Sequence, residues 1–247
     1  MTKIEPRLLK GFRDYPPLEQ ANRQRLFFVI QQQFEKYGFL PLSTPALEYK
    51  EILLGKYGEG EKLVYSFTDN GDREVALRYD LTVPLARYVA QNQGKLVLPF
   101  KRYQIAPVWR ADKPQKGRFR EFYQCDVDVV GSDSLLADAE IIACLASCLQ
   151  AVGVGDLRVR FNDRRFFSLL TDSLNSQTDT LAVIRAIDKL DKIGIAGVLA
   201  ELGKLNISIV DQTLIQNFLE LGTGQPALTK ISQMFSGSTE ISDRCLN

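Results

Sequence analysis

The chain has 247 residues, 45% of them apolar and 25% charged, with a formal net charge of +1. This is ordinary globular composition, with enough apolar residues for one or two cores. A charge so close to zero gives no global field toward nucleic acid or membrane, so any contact with a polyanion must rest on a local patch. In chain order, residues 17 to 37 read as an amphipathic helix with Leu26, Ile30 and Phe34 at i,i+4 spacing, opened by Pro16 and Pro17 and closed at Gly38. Phe39 to Leu47, with Pro41 and Pro45, suits an extended edge segment. Val64 to Phe67 and Val75 to Tyr79 read as strands, and Asn70-Gly71 between them predicts a type I′ hairpin turn. Thr82 to Gln93 reads as a short helix. Leu98 to Trp109 and Phe119 to Val130 read as long strands joined by a charged loop, Arg110 to Arg118.

Ser134 to Val152 predicts a helix, with Asp133 as its N-cap and Gly153 at its end. Leu157 to Phe161 alternates apolar and charged residues and reads as another strand. From about Phe166 the periods are helical: Leu181, Ile184 and Ile187, then Val198, Leu199 and Leu202, then Leu214, Phe218 and Leu221. The expected fold is therefore α+β, with strands mostly joined by hairpins into an antiparallel sheet backed by helices over 1–165, and a small helical module over 166–247. No apolar run approaches the roughly 18 residues of a membrane span. The polar N-terminus lacks the apolar centre of a signal peptide. Both point to a soluble, cytoplasmic protein.

The chain contains no histidine. A His general base, a Ser-His triad and a His metal ligand are thereby excluded from it. Of its cysteines, Cys125, Cys144, Cys148 and Cys245, none forms a CxxC pair. Cys144 and Cys148 share a helix face and read as core packing, disulfides are not expected, and no residue is assigned to a metal.

The most informative stretch is FKRYQIAPVWRADKPQKGRFREFYQCDVDVVG, Phe100 to Gly131. It holds Arg102, Arg110, Arg118 and Arg120. Strand alternation puts Arg120, Phe122, Gln124, Asp126 and Asp128 on one face, with Gln124 and Asp128 about 13 Å apart by rise. So many polar types on one face suit a pocket for a nucleotide phosphate and a small zwitterion. Arg110, at a strand end, can clamp a phosphate with two parallel donors, and Arg118 across the loop can hold outer phosphates. The alternative for Arg118 is a surface salt-bridge cluster with Asp112 and Glu121. Asp80 and Thr82 follow a strand end, where a carboxylate can pair with a substrate ammonium. The alternative there is helix capping at Thr82.

These residues resemble the catalytic core of the histidyl-tRNA synthetases, a class II aminoacyl-tRNA synthetase family. The likeness runs through GFRDYPP (Gly11 to Pro17), ALRYDLTVPLARYVA (Ala76 to Ala90), the class II motif 2 in VWRADKPQKGRFREFYQCDVDVVG (Val108 to Gly131), VRFNDRR (Val159 to Arg165) and IDKLDKIG (Ile187 to Gly194). It implies that Arg110 is the catalytic motif 2 arginine, binding the ATP α-phosphate and the reacting histidine carboxylate. It further implies that Asp112 and Arg118 meet the nucleotide and Phe122 stacks on adenine. Asp80, Thr82 and Gln124 would contact the histidine ammonium, Asp128 would read an imidazole nitrogen, and Pro45 would lie at a dimer interface. The implied ligands are ATP with Mg²⁺, L-histidine and tRNA(His), bound by a homodimer away from any membrane.

No stretch of 166–247 resembles the family's second histidine-binding motif, motif 3 or anticodon-binding domain. The expectation is therefore the catalytic fragment of a longer enzyme, with an apolar sheet face or edge left uncovered. A competing expectation is a non-catalytic relative, like the regulatory subunit of ATP phosphoribosyltransferase. Arg110, Asp112 and Arg118 within the full PQKGRFREF loop favour the enzyme, since a regulator has no need to clamp ATP phosphates. A generic nucleic-acid-binding domain fits poorly with the absence of a basic stripe.

Overall fold

A computed structural model describes residues 4–54, 63–161, 164–175, 179–205, 207–222 and 224–235. The chain divides into two units, Met1–Val159 and Arg160–Asn247. Cys245 and the Asn162-Asp163 pair lie outside the described residues.

The first unit runs α1 (Pro17–Lys36), β1 (Leu40–Pro41), β2 (Leu47–Tyr49), α2 (Lys50–Leu53), β3 (Ser66–Thr68), β4 (Glu74–Leu77), α3 (Thr82–Gln91), β5 (Phe100–Trp109), β6 (Glu121–Val130) and α4 (Leu135–Ala151). Its strands form two three-stranded sheets, in the orders β1-β5-β6 and β2-β4-β3. The sheets are antiparallel except where β1 runs parallel to β5, with Leu40 opposite Arg102. Arg78, just after β4, ties them together. Its buried guanidinium donates to the carbonyls of Pro107 (2.9 Å) and Thr44 (2.7 Å), and its own carbonyl accepts from Trp109 N–H at 3.1 Å.

Helix α1 begins at Pro17, where a missing N–H costs nothing. It ends in a Schellman motif. Gly38 takes φ +76°, Phe39 N–H reaches Phe34 O at 3.1 Å, and Gly38 N–H reaches Glu35 O at 2.9 Å. The hydrophobic contact of that motif joins Phe39 to Phe34 in a core with Tyr103, Cys144 and Cys148. Around them pack Ile30 from α1, Ile105 from β5, Cys125, Val127 and Val129 from β6, and Ile141 from α4. One face of the β5–β6 hairpin is thus sealed by α1 and α4. Burial pushes the thiols of Cys125 and Cys144 up to about 11 and about 12, so both stay protonated and inert near neutrality.

Three local expectations need correction. The turn between β3 and β4 is not type I′, since Asp72 alone among its non-glycine residues has positive φ (56°) and Gly71 does not. The Asp69 carboxylate accepts from Gly71 N–H (2.8 Å) and Arg73 N–H (3.0 Å), which holds Asn70-Gly71 in an ordinary turn and moves the left-handed residue on to Asp72. Helix α4 is capped by Ser134, whose hydroxyl accepts from Leu136 N–H at 3.3 Å, rather than by Asp133. Leu157 to Phe161 forms no strand. Phe161 is 80% exposed, and alternation does not make a strand where no neighbouring edge takes up the backbone groups.

The second unit contains α5 (Arg164–Asp172), α6 (Thr180–Ile187), α7 (Leu190–Lys204), α8 (Ile209–Leu219) and α9 (Gln225–Met234). Leu170, Val183, Val198, Leu202, Ile215 and Ile231 form its core. Asp179 caps α6 and Ser208 caps α8. Gly194 (φ 67°, ψ 175°) breaks α7 into two helical pieces, the left-handed backbone that glycine tolerates best. No helix of the described residues is long and apolar enough to cross a membrane.

Phe39 is 1% exposed. Phe39→Ala is expected to cost about 3–5 kcal/mol of unfolding free energy, measured as a shift in the urea midpoint at constant slope.

Candidate functional site

The β5–β6 register decides what faces what. Arg102 is opposite Asp128, Gln104 opposite Asp126, Ala106 opposite Gln124 and Val108 opposite Phe122. Cross-strand partners share a face, so this row of polar groups lies on the side away from α1 and α4. Its centre is Arg102. The side chain is fully buried, its Nη2 lies 2.7 Å from Asp128 Oδ2, and the same nitrogen donates to Leu81 O at 3.1 Å. Its Nε and Nη1 have no hydrogen-bond partner among the described residues, and neither has Gln124 Oε1. The Asp128 oxygen is held to Arg102 by charge rather than by an aligned hydrogen bond.

Three carboxylates act on this guanidinium: Asp128, Asp126 and Asp80. Burial pushes the Asp126 carboxyl above its ordinary range, and Asp128 and Asp80 push the same way, while Arg102 and Arg110 pull it down. Burial likewise raises Asp128, opposed by Arg102 and assisted by Asp80. With three carboxylates against one buried arginine, this end of the face is net negative and suits a ligand cation.

Asp80 Oδ1 accepts from Thr82 N–H (3.1 Å) and Val83 N–H (3.0 Å). The capping expected of Thr82 is therefore done by Asp80, which fixes the start of α3. Thr82 and Asp128 both line a cavity of about 650 Å³, together with Leu85, Val89, Leu98 and Gly131. Gly131 has φ +83°, and a Cβ there would lie 2.7 Å from a methyl carbon of Leu98. Of the expected site residues, the cavity touches only Thr82 and Asp128.

The other end of the face is basic. Arg110 Nε donates to Tyr79 O at 3.1 Å, and its guanidinium sits 4.2 Å from the Tyr79 ring centre and 5.1 Å from that of Phe122. Arg110 and Phe122 are thus neighbours. Arg118 lies on Asp112 instead, with Nε and Nη2 each 3.0 Å from Asp112 Oδ2. Half of the salt-bridge alternative therefore holds, but Glu121 is not in it. It accepts from Trp109 Nε1 at 2.7 Å. The loop itself closes by mutual backbone bonds between Gln115 and Arg118. Its base is braced by the N-terminal segment: Arg120 N–H donates to Gly11 O (2.8 Å), and the Arg120 guanidinium donates to Asp112 O and Lys10 O. Gly11 is required there, with φ +89° and only 2.8 Å between a hypothetical Cβ and the Arg120 side chain.

Among the residues of the face given no role by the sequence reading are Arg102 and Asp126. The signal for Asp126 was its place between Gln124 and Asp128 in the alternation. For Arg102 it was a charged residue inside an otherwise strand-forming run. Among the described residues no cluster of three or more His, Cys, Asp or Glu side chains has the geometry of a metal site.

An α+β core built on this long antiparallel hairpin, helices behind and a polar face in front, is the architecture of a class II synthetase-like domain. The histidyl-tRNA synthetase of Nostoc sp. PCC 7120 superposes with a TM-score of 0.83 at 34% identity, over 99% of this chain and 57% of that one. The histidine–tRNA ligases of Aeropyrum pernix and Treponema denticola are 51% and 49% identical, over 82% and 77% of this chain and 47% and 43% of their own. The sequence profile of the histidyl-tRNA synthetases matches residues 11–245, and the chain belongs to that family. It spans about half the length of the curated relatives it matches. A protein of Bacillus halodurans described as an ATP phosphoribosyltransferase regulatory subunit/histidyl-tRNA synthetase shares the fold, with a TM-score of 0.80 at 23% identity.

Because Asp126 binds its proton more tightly folded than unfolded, its ionisation opposes folding, and stability falls as pH rises from the ordinary carboxylate pKa through the raised one. Asp126→Asn is expected to raise the melting temperature at pH 7, with the difference from wild type closing as pH falls toward 4. Thermal melts across that range check it.

Proposed function

We propose that this chain is the catalytic portion of a cytoplasmic, homodimeric histidine–tRNA ligase. It would activate L-histidine with Mg·ATP to histidyl-adenylate and then pass the histidyl group to tRNA(His). The observation that carries the reading is the two-ended hairpin face, with Arg110 beside Phe122 at one end and the Asp80, Asp126, Asp128 and Arg102 cluster at the other. In this reading a carboxylate oxygen of histidine attacks the α-phosphorus in line, the bond from that phosphorus to the bridging oxygen breaks, and pyrophosphate leaves. Charge spreads over the phosphoryl oxygens, so a fixed cation does more than a base. Arg110 supplies that cation and touches the reacting groups as the catalytic residue, and Phe122 provides a flat surface for adenine.

Asp112 and Arg118 meet the nucleotide from the loop. Their pairing in the free chain means that Arg118 exchanges one anion for another when phosphates arrive. Asp80, Thr82 and Gln124 receive the histidine ammonium, and Asp128 accepts from the imidazole ring. A buried acceptor left without a donor penalises amino acids that lack a ring N–H, by up to about 10⁴ to 10⁵ in favourable sites. Pro45 is assigned to the dimer interface.

The regulatory relative shares the fold, so the fold does not separate the two readings. The ATP end does. Calorimetric titration with Mg·ATP and separately with L-histidine is expected to give binding of both. Histidine binding without ATP binding favours the regulator, and binding of neither contradicts the assignment. Arg110→Ala is expected to weaken Mg·ATP by about tenfold or more with little change in melting temperature. Asp128→Ala is expected to weaken L-histidine and leave Mg·ATP unchanged, and an equal loss of both ligands counts against its assigned role.

A further inference from the structure

We infer that Arg102 is a positioning residue for amino-acid selection: it holds the Asp128 carboxylate ionised and aimed, and so sets how strongly the site accepts an imidazole N–H. This deepens the reading of the hairpin face as the histidine site and rests on it.

The geometry carries the inference. Arg102 is fully buried and has its nearest carboxylate at 2.7 Å on the facing strand. Leu81 O fixes the same guanidinium nitrogen from the turn that starts α3. The pair is therefore anchored on two elements. A buried guanidinium is not retained for stability alone, because an apolar residue of similar volume usually serves a core as well or better. Asp128 is about one quarter exposed, so the pair is reachable by a ligand on one side only.

Arg102 favours Asp128 ionisation against burial and Asp80. Asp80 acts from the turn before α3, and Asp128 in turn raises Asp126 on its own strand. Thr82, lining the same cavity, is uncharged. Arg110 lowers Asp126 from the far end of the face. Without Arg102, burial and Asp80 would both act to keep Asp128 protonated. A protonated Asp128 donates where the reading needs an acceptor.

The test is L-histidine titration calorimetry of the chain from pH 6 to 8, comparing wild type, Arg102→Gln and Arg102→Lys, with Mg·ATP as control ligand. The ring of histidine titrates in this range too, but equally for every variant, so the ratio of variant to wild-type Kd isolates the protein. Arg102→Gln is expected to weaken histidine about 10- to 100-fold at pH 6, the effect of removing a neighbouring arginine from a buried Asp. The deficit should shrink as pH rises across this range, because higher pH favours the ionised carboxylate. Arg102→Lys should restore the flat ratio, and Mg·ATP binding should not change.

A merely structural Arg102 would give a pH-independent loss, or an equal loss for Mg·ATP, and either overturns the inference. If Arg102→Gln does not fold, the decision passes to Arg102→Met, a neutral residue of similar volume, with and without Asp128→Asn. A loss that vanishes in the Asp128→Asn background supports the coupling, and additive losses overturn it. If wild type binds no L-histidine, the reading of the site falls, and this inference with it. If wild type binds and Arg102→Gln binds equally well, only the inference falls.

Discussion

A guanidinium that cannot lose its proton has been placed where water does not reach it, and much of the first unit is arranged around that fact. Arg102 lies at the second polar position of β5, fully buried. Its charge must be met by carboxylates brought from elsewhere. The facing strand supplies Asp128 and Asp126, and the turn before α3 supplies Asp80 and the Leu81 carbonyl. Strand β6, the start of α3 and β5 are therefore held to one another by an electrostatic requirement as well as by packing. Breaking such a pair by removing one partner typically costs about 3–5 kcal/mol. Position and chemistry are the same problem here.

The hairpin solves it by dividing labour between its faces. Tyr103, Ile105, Cys125, Val127 and Val129 pack toward α1 and α4 and supply burial. Arg102, Gln104, Gln124, Asp126 and Asp128 stand on the other side, in register across the two strands. Gln104 is held by Thr44 at 3.3 Å, and the unpartnered Gln124 oxygen and Arg102 nitrogens are left as donors and acceptors of fixed direction. Preorganised polar groups of this kind are costly to the free protein and favourable to a ligand that completes them. At the basic end the loop is stabilised differently, by bonds to the Lys10 and Gly11 carbonyls and by the Arg118–Asp112 pair, which is partly exposed and worth little by itself. One end is rigid by burial, and the other is braced but able to exchange partners.

The α+β class, the long hairpin and the composition of its polar face were all legible in the sequence, because strand alternation has a period of two and the run from Phe100 to Val130 is long enough to show it. Which residue of β5 meets which of β6 was not legible. Eleven residues, Arg110 to Arg120, separate the paired ends Trp109 and Glu121, and only short turns of known type dictate register. Arg102 therefore read as one more arginine in a basic stretch, and its pairing with Asp128 appeared only in the fold. The same limit explains Asp80, where a side chain two residues before the expected cap reaches the helix N–H groups first. At Leu157 to Phe161 the error ran the other way. Local alternation was present, but a strand is a property of two segments, and no second segment pairs with it among the described residues.

Family membership and fold do not by themselves distinguish a ligase from a regulator, since a protein carrying the regulatory description has nearly the same backbone. What distinguishes them physically is the use of cations. In the proposed reading, a pocket that only senses an amino acid needs the acidic end, where Asp80 receives the ammonium and Asp128 the ring. It has no use for Arg110 stacked between Tyr79 and Phe122, or for a loop whose base is pinned to the N-terminal segment at Gly11. Such a brace constrains the chain at a residue where no side chain fits. A constraint of that kind is worth its cost when the loop must present charge at a fixed distance from the strand, as in-line attack on a phosphorus demands. In the proposed reading the acidic end selects and the basic end activates, and a single hairpin sets the distance between them.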